Sequence, residues 1–146
     1  YVGQDGTYRA RLNSLENEVL WEASTEKGYV GFLRNEPRKP WSFSVNYETA
    51  GEKRPMYPDF LIFRKEGDHL LTDVVEPHSL SQADSVAKAK GLADFAESYG
   101  SELGRVMLVD RVGKSLKRID LKDRKIRKRV KSLDSAAALK QLFDDA

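Results

Sequence analysis

The stretch YPDFLIFRKEGDHLLTDVVEPH, residues 57–78, contains two apolar runs joined by a short polar turn. Both runs are rich in β-branched and aromatic residues, and the KEGD turn between them includes Gly67, which suits a β-hairpin. Asp59 opens the first run and Glu76 closes the second. In an antiparallel pair these residues lie at the same end of the sheet, about one strand spacing (roughly 5 Å) apart. The stretch therefore predicts a hairpin with two neighbouring carboxylates at its open end.

The flanking sequence predicts helices and further strands, and hence a mixed α/β fold. Apolar residues recur at helical spacing over 12–25 and 83–99, and the polar side of the first helix should include Glu16, Glu18 and Glu22. Strands are predicted at 29–34, 41–48, 59–64, 69–76, 105–110 and 115–121, and C-terminal helices at about 122–131 and 134–144. The first four strands follow in series, which favours an antiparallel meander. The predicted order is helix, meander, helix, strand, then the C-terminal elements.

Length and composition limit the class of protein. The 146 residues match one ordinary domain, which we expect to span 1–146. The absence of cysteine excludes a disulfide framework and a thiolate metal site, and no signal peptide or long apolar run is present, so we expect a cytoplasmic protein. With only His69 and His78, a three-histidine zinc site is excluded. Because the chain begins at Tyr1 rather than Met, we expect it to be part of a longer protein.

Positive charge is concentrated near the C-terminus. Residues 114–131 hold ten Lys or Arg and two Asp, a net charge of +8, although the whole chain carries only +2. Cations at this density neutralise phosphates and supply affinity for nucleic acid without sequence specificity. The alternative is a solvated helix face. The candidate phosphate contacts are Lys125, Arg127, Lys128 and Arg129. Trp41, Tyr47 or Tyr57 would add base stacking if exposed, or belong to the core.

The paired carboxylates of the hairpin indicate a cation site. Mg²⁺ and Mn²⁺ take oxygen ligands, typically one or two carboxylates with waters and phosphate oxygens, and this set suits phosphodiester hydrolysis. The strand period of two places His78 on the side of Glu76 if the strand continues that far, and Pro77 should end the ladder. A neutral imidazole at His78 would ligate a metal and favour Mn²⁺, whereas an imidazolium would sit beside phosphate.

These motifs resemble the PD-(D/E)xK nuclease superfamily. The resemblance rests on Pro58-Asp59, on Glu76-Pro77-His78 and on a following helix that carries Lys88 and Lys90, and it covers most of residues 12–110. The segments FLRNEPR, WSFSVNY, MYPDFLIF, VVEPHSLSQADSVAKAKGLADFAE and LKRIDLKD are similar to the C-terminal domains of bacterial DEAD/DEAH helicases of the type III restriction-enzyme subunit kind. The resemblance implies a restriction-endonuclease-like core, DNA as substrate, and a helicase in the same parent chain as partner.

The same resemblance implies roles for individual residues. Asp59 and Glu76 would bind the catalytic Mg²⁺ or Mn²⁺, and Glu16 or Glu18 of the first helix would complete the site. His78 stands where the superfamily has lysine. This departure bears on whether the domain is catalytic more than on its fold. Lys88 or Lys90 would then supply the missing positive group, although the spacing of Lys88 from Asp84 also suits a helix ion pair.

Three functions follow from these observations. The first is a divalent-metal-dependent endo- or exonuclease coupled to a helicase. The second is a nuclease-fold module that has lost catalysis and only binds nucleic acid or docks to the helicase, which His78 favours. The third is a domain that binds another protein and no nucleic acid. The affinity of such binding would not depend on salt concentration.

Overall fold

The computed structural model describes residues 11–80 and 82–146, which form seven strands and four α-helices. The helices are α1 (Ser14–Thr25), α2 (Ser85–Tyr99), α3 (Arg124–Lys131) and α4 (Ala136–Asp144). The strands are β1 (Tyr29–Arg34), β2 (Val45–Thr49), β3 (Glu52–Met56), β4 (Phe60–Glu66), β5 (His69–Pro77), β6 (Val106–Val112) and β7 (Ser115–Asp120). None of the helices in these two ranges is long and apolar enough to cross a membrane.

A five-stranded sheet in the order β1-β4-β5-β6-β7 organises the fold. Strands β1, β4 and β5 are antiparallel to one another, β6 is parallel to β5, and β7 is antiparallel to β6. A parallel pair needs a crossover connection, and α2 provides it between β5 and β6. The predicted mixed α/β class is confirmed, as is the strand end at Pro77.

The prediction of a four-strand meander is wrong for residues 41–48. Strand β2 is not part of the main sheet but pairs with β3 in a separate two-stranded sheet. The turn is Ala50-Gly51, and both residues have positive φ, 50° and 75°. Two-residue turns of this kind match the twist of antiparallel strands and close a tight hairpin. The local turn therefore pairs β2 with β3 and leaves β1 to pair with β4.

Helices cover both faces of the main sheet. Successive side chains along a strand point to opposite faces of the sheet, so the buried side chains form two clusters, one on each face. One cluster includes Phe60, Ile62 and Val75 and packs against α1 through Val19. The other joins the opposite face of the sheet to the remaining helices and the β2–β3 hairpin, and includes Val45, Tyr47, Val74, Leu92, Leu108, Val130, Leu139 and Phe143. The chain is thus a sheet between α1 and a helical layer, and the hairpin lies against α2.

Gly91 sets the distance between α2 and the hairpin. A Cβ at this position would lie 2.5 Å from the Tyr47 Cβ and 2.8 Å from the Asn46 carbonyl oxygen. Overpacking of this kind usually costs about 1–3 kcal/mol, although alanine regains up to about 1 kcal/mol of helix propensity. We expect Gly91→Ala to lower the free energy of unfolding measured with urea. Gly100→Ala is the matched control, because its Cβ would meet only Lys122 at 3.7 Å; equal stabilities of the two variants would contradict this interpretation.

Candidate metal and phosphate site

The β4–β5 register brings Asp59 and Glu76 together. Phe60 pairs with Val75, so the residues just outside this pair face each other at the end of the hairpin. The backbone N–H of Asp59 donates a hydrogen bond of 3.0 Å to Oε2 of Glu76. The predicted juxtaposition of the two residues is confirmed.

Helix α1 contributes Glu16 to the same place. Asn13 caps the helix by accepting from the Glu16 N–H at 2.9 Å, and Oε2 of Glu16 accepts from the Asn13 N–H at 3.0 Å. This reciprocal capping box fixes the carboxylate in the first turn. Glu16 is 7% exposed, so this residue of the predicted polar side of α1 is buried and not solvated. The other carboxylate oxygen of Glu16, Oε1, faces Arg34 at the end of β1.

Glu18, the alternative residue of α1, lies elsewhere. It forms an ion pair with Arg111 at the end of β6, and Glu22, one turn further along, pairs with Arg118 on β7. These contacts direct Glu18 and Glu22 towards the β6–β7 edge. Of the two candidate residues on α1, the structure brings only Glu16 towards Asp59.

Arg34, the last residue of β1, lies between Glu16 and Asp59. Its Nη1 donates to the Asp59 carbonyl oxygen at 3.1 Å and to Oδ1 of the same residue, and its Nη2 lies 3.4 Å from Oε1 of Glu16. The guanidinium also stacks over the Phe60 ring at 5.4 Å from its centroid. Sequence reasoning missed Arg34. The available signal was a cation that ends an apolar strand before the Pro-Asp motif.

Burial and neighbouring charges shift the pKa values of both carboxyl groups at the end of the hairpin. Burial and the charge of Asp59 raise the pKa of Glu76 to about 8, against the opposing hydrogen bond from the Asp59 backbone and the charges of Lys88 and Arg34. Burial also raises the pKa of Asp59, an effect that Arg34 opposes and Glu16 reinforces. Without metal, Glu76 therefore retains its proton at neutral pH, and a divalent cation would have to displace it.

Lys88 on α2 acts on the site through its charge. Its Nζ donates to Oε1 of Gln82 at 2.6 Å and lies 3.3 Å from Oδ1 of Asp84, which confirms the predicted helix ion pair. Asp84 in turn accepts a 2.6 Å hydrogen bond from the Tyr47 hydroxyl, and Lys88 lies over the Tyr47 ring at 6.0 Å. The positive charge of Lys88 lowers the pKa of Glu76 and of His78, so the same lysine acts on both residues.

Lys90, the second candidate lysine, has different neighbours. It lines a shallow groove between α2 and the β2–β3 hairpin, together with Tyr47 and Lys53. Of the two lysines, Lys88 is the one whose charge acts on Glu76.

His78 is a core residue. It is 2% exposed, its backbone N–H donates to the Val109 carbonyl at 2.7 Å, and no described residue hydrogen-bonds its Nε2. Burial and the charge of Lys88 lower its pKa to about 4, against Asp84 and a backbone hydrogen bond to Ser85. The imidazole is therefore neutral at physiological pH. This differs from the imidazolium alternative, because burial and the charge of Lys88 outweigh the charge of Asp84 and the Ser85 hydrogen bond.

Within 11–80 and 82–146, no group of three or more His, Cys, Asp or Glu side chains is arranged to hold a metal ion. The Arg34 guanidinium instead contacts oxygens of both Asp59 and Glu16. The donor set itself consists of the carboxylates of Glu16, Asp59 and Glu76, and oxygen donors suit a hard divalent cation. The residue types fit such an ion, whereas the arrangement is that of an arginine-neutralised cluster.

Several cations of the basic segment, residues 114–131, already make contacts within the protein. Arg127 donates to the carbonyls of Leu121 and Lys122, and Arg129 pairs with Asp145 at 3.0 Å. Lys131 pairs with Asp94 at 2.8 Å and with Glu97. Three cations of α3 make no ion pair with any residue that the structure describes: Arg124, Lys125 and Lys128. Of the four predicted phosphate contacts, Lys125 and Lys128 remain available.

The aromatic candidates divide between core and surface. Tyr47 is buried and hydrogen-bonded to Asp84, so it belongs to the core rather than to a base-stacking surface. Tyr57 is half-buried, and Trp41 is 38% exposed.

The comparison with known proteins assigns the family. The sequence profile of the YagJ family matches residues 1–146. The chain belongs to the YagJ family. It is similar to Protein YagJ of Escherichia coli (strain K12), with 31% identity over 137 residues, which is 93% of this chain and 56% of that protein. The chain thus spans little more than half the length of this YagJ relative. No solved structure matches it.

Proposed function

We propose that this YagJ-family chain is a divalent-metal-dependent nuclease domain that cleaves DNA phosphodiesters. The observation that carries the proposal is the meeting of Asp59 and Glu76 at the end of one hairpin, where Glu16 of α1 also lies and where the charge of Lys88 on α2 acts on Glu76. The element order also supports a restriction-endonuclease-like core: α1, the antiparallel strands β1, β4 and β5, the crossover α2, then β6.

Each residue has a defined task in this proposal. Asp59, Glu76 and Glu16 would hold Mg²⁺ or Mn²⁺, which supplies positive charge for the phosphate and lowers the pKa of a bound water. Lys88 takes the place of the lysine that His78 replaces, because its charge acts on Glu76 and can stabilise negative charge on a phosphate oxygen. Asp84 and Gln82 hold that ammonium in place. His78 contributes packing and not charge.

The proposed substrate is DNA in the cytoplasm. Lys125 and Lys128 on α3 would contact its phosphates, and the partner proposed from the resemblance is a helicase in the same parent chain. The experiment that tests the catalytic proposal is a cleavage assay on single-stranded, linear and supercoiled DNA with Mg²⁺, Mn²⁺ or EDTA. We expect cleavage with either metal and none with EDTA. Absence of cleavage and of metal-binding heat from about pH 6 to 9, a range around the ordinary histidine pKa, would overturn the proposal.

A second candidate function is a nuclease-fold module that binds DNA or docks to the helicase without cleaving. The specific observation that favours it is the ion pairing of Arg34 with Asp59 and Glu16, which offsets negative charge of the cluster without metal. DNA binding that is unaffected by EDTA, combined with no cleavage, would select this function.

The free cations of α3 provide a test of DNA binding. We expect Lys125→Gln/Lys128→Gln to weaken binding to duplex DNA and to reduce the slope of log affinity against log salt by up to about 1.8, since each lost phosphate contact removes about 0.9. Arg127 and Arg129 are left intact because they hold the helix in place. The measurement is fluorescence anisotropy between roughly 50 and 200 mM salt.

Lys27→Gln/Lys65→Gln is the matched control for this charge change. Both lysines are exposed, and Lys65 pairs with Leu70 near the turn at the far end of the β4–β5 hairpin. An equal reduction of the salt-dependence slope in both double variants would show a general charge effect. The basic residues of α3 would then form a solvated surface and not a DNA contact.

A further inference from the structure

The cation already present in the acidic cluster is Arg34. Its two terminal nitrogens reach different carboxylates, Nη1 to Asp59 and Nη2 to Glu16, and Nη1 also bonds the Asp59 carbonyl oxygen. These carboxylate oxygens are the ones that a divalent ion would need. A guanidinium bound to these oxygens competes with a metal ion for them, because both are cations attracted to the same lone pairs.

The carboxylates of Glu16 and Glu76 do not depend on Arg34 for their positions. Oε2 of Glu16 is held by the Asn13 N–H at 3.0 Å, and Oε2 of Glu76 is held by the Asp59 N–H at 3.0 Å. Both donors are backbone groups of the fold. Arg34, in contrast, reaches the cluster with a long side chain whose contacts are made through its terminal nitrogens. Rotation about the bonds of the Arg34 side chain would release these contacts without moving the backbone groups that hold Glu16 and Glu76.

We propose that Arg34 is a built-in competitor of the divalent metal, which closes the site by occupying Asp59 and Glu16 and opens it when its guanidinium withdraws. This inference rests on the proposed metal-dependent function. It makes Arg34 the residue that sets metal affinity, a role distinct from those of the ligands and of Lys88. It also accounts for an oxygen-rich cluster that is not arranged as a metal site.

The expected size of the effect follows from the population of the open form. When a binding-competent state is populated to only 1–10%, the apparent dissociation constant rises by roughly 10- to 100-fold over the intrinsic value. Arg34→Gln removes the competing cation and leaves the three carboxylates in place. We therefore expect this variant to bind Mn²⁺ about 10- to 100-fold more tightly than the wild-type protein.

The test is calorimetric titration of Mn²⁺ into the wild-type protein, Arg34→Gln and Arg111→Gln, without DNA. Arg111→Gln is the matched control, because Arg111 pairs with Glu18 on the same helix α1, away from Asp59. It removes the same charge from the chain. Tighter binding in Arg34→Gln but not in Arg111→Gln supports the inference, as does binding by Arg34→Gln when the wild-type protein shows none.

Two results would overturn the inference. If the wild-type protein binds Mn²⁺ and Arg34→Gln binds with equal or weaker affinity, Arg34 is a structural ion pair, and the proposed function survives. If neither protein binds Mn²⁺, the metal-dependent function fails together with the inference.

Thermal unfolding keeps the test informative if Arg34→Gln folds poorly. Without Arg34 the carboxylates repel one another, so we expect Mn²⁺ to raise the Tm of Arg34→Gln more than that of the wild-type protein. Arg34→Lys serves as the second variant, because a single ammonium cannot span both carboxylates as the guanidinium does. It should bind Mn²⁺ more tightly than wild type, and equal or weaker binding would count against the inference.

Discussion

Asp59→Asn and Glu76→Gln should each reduce metal-dependent DNA cleavage by at least about 100-fold. Loss of groups that only support metal ligands commonly costs roughly 10- to 100-fold in affinity or activity, so loss of a ligand itself should cost more. The amides are close in shape to the carboxylates, and the amide oxygen introduced by Glu76→Gln can still accept from the Asp59 N–H. The measurement is initial cleavage rate with saturating Mn²⁺.

The stability of Glu76→Gln separates lost catalysis from lost fold. In the protein without metal, the pKa of Glu76 is raised from 4.5 to about 8, by burial and by Asp59. A raised pKa means that the folded state retains the proton, so the contribution of this group to stability is lost as pH rises from about 4.5 through 8. Glutamine does not titrate. We therefore expect Glu76→Gln to become more stable relative to wild type as pH rises to about 8, measured by urea unfolding in EDTA.

Glu66→Gln provides the control, because Glu66 is exposed at the other end of β4. It should alter neither cleavage nor the pH dependence of unfolding. A Glu76→Gln protein that is stable and still cleaves DNA at the wild-type rate would remove Glu76 from the site.

The second large effect is a loss of stability in acid that depends on His78. The pKa of this buried imidazole is lowered from 6.5 to about 4, first by burial and then by Lys88. Because the unfolded chain binds a proton at higher pH than the folded protein, stability falls as pH decreases from about 6.5 to 4. The contribution of His78 over this window is about 3 kcal/mol. It disappears if the residue cannot titrate.

Urea unfolding of wild type, His78→Asn and His69→Asn from about pH 4 to 7 in EDTA isolates this contribution. His78→Asn should be less stable than wild type near neutral pH, where the packed imidazole is lost, and the difference should shrink in acid. His69 is exposed at the start of β5, so its variant should follow the wild-type curve. Differences between variants are needed because Glu76 acts with the opposite sign over part of this range. A constant difference between wild type and His78→Asn would contradict the assignment.

Short-range pattern predicted the parts of the site that lie within one hairpin. Asp59 and Glu76 are separated by a turn at Gly67, whose φ of 59° is readily adopted by glycine. The two-residue turn pairs Glu66 with His69, and this register places Asp59 and Glu76 opposite each other without reference to the rest of the chain. The crossover helix and the strands after it were predicted for a similar reason, since their apolar spacing is local.

Only the tertiary structure decided which partners the carboxylates have. Arg34 meets Asp59 because β1 pairs with β4 rather than with β2, and that choice follows from the tight turn at Ala50-Gly51. Lys88 is directed by Tyr47 and Asp84 because Gly91 lets the hairpin approach α2 closely. His78 changes from a candidate charged group to a neutral core residue because packing removes it from water.

The same distinction explains the basic segment and the α1 glutamates. The sequence by itself determined that 114–131 is strongly positive and that 12–25 is amphipathic, because charge and periodicity are properties of the chain. Whether Lys131 meets Asp94, or whether Glu16 rather than Glu18 turns inward, depends on contacts between segments distant in sequence. Periodicity specifies which face of an element is apolar, whereas the identity of the opposing side chains is set by how the elements pack.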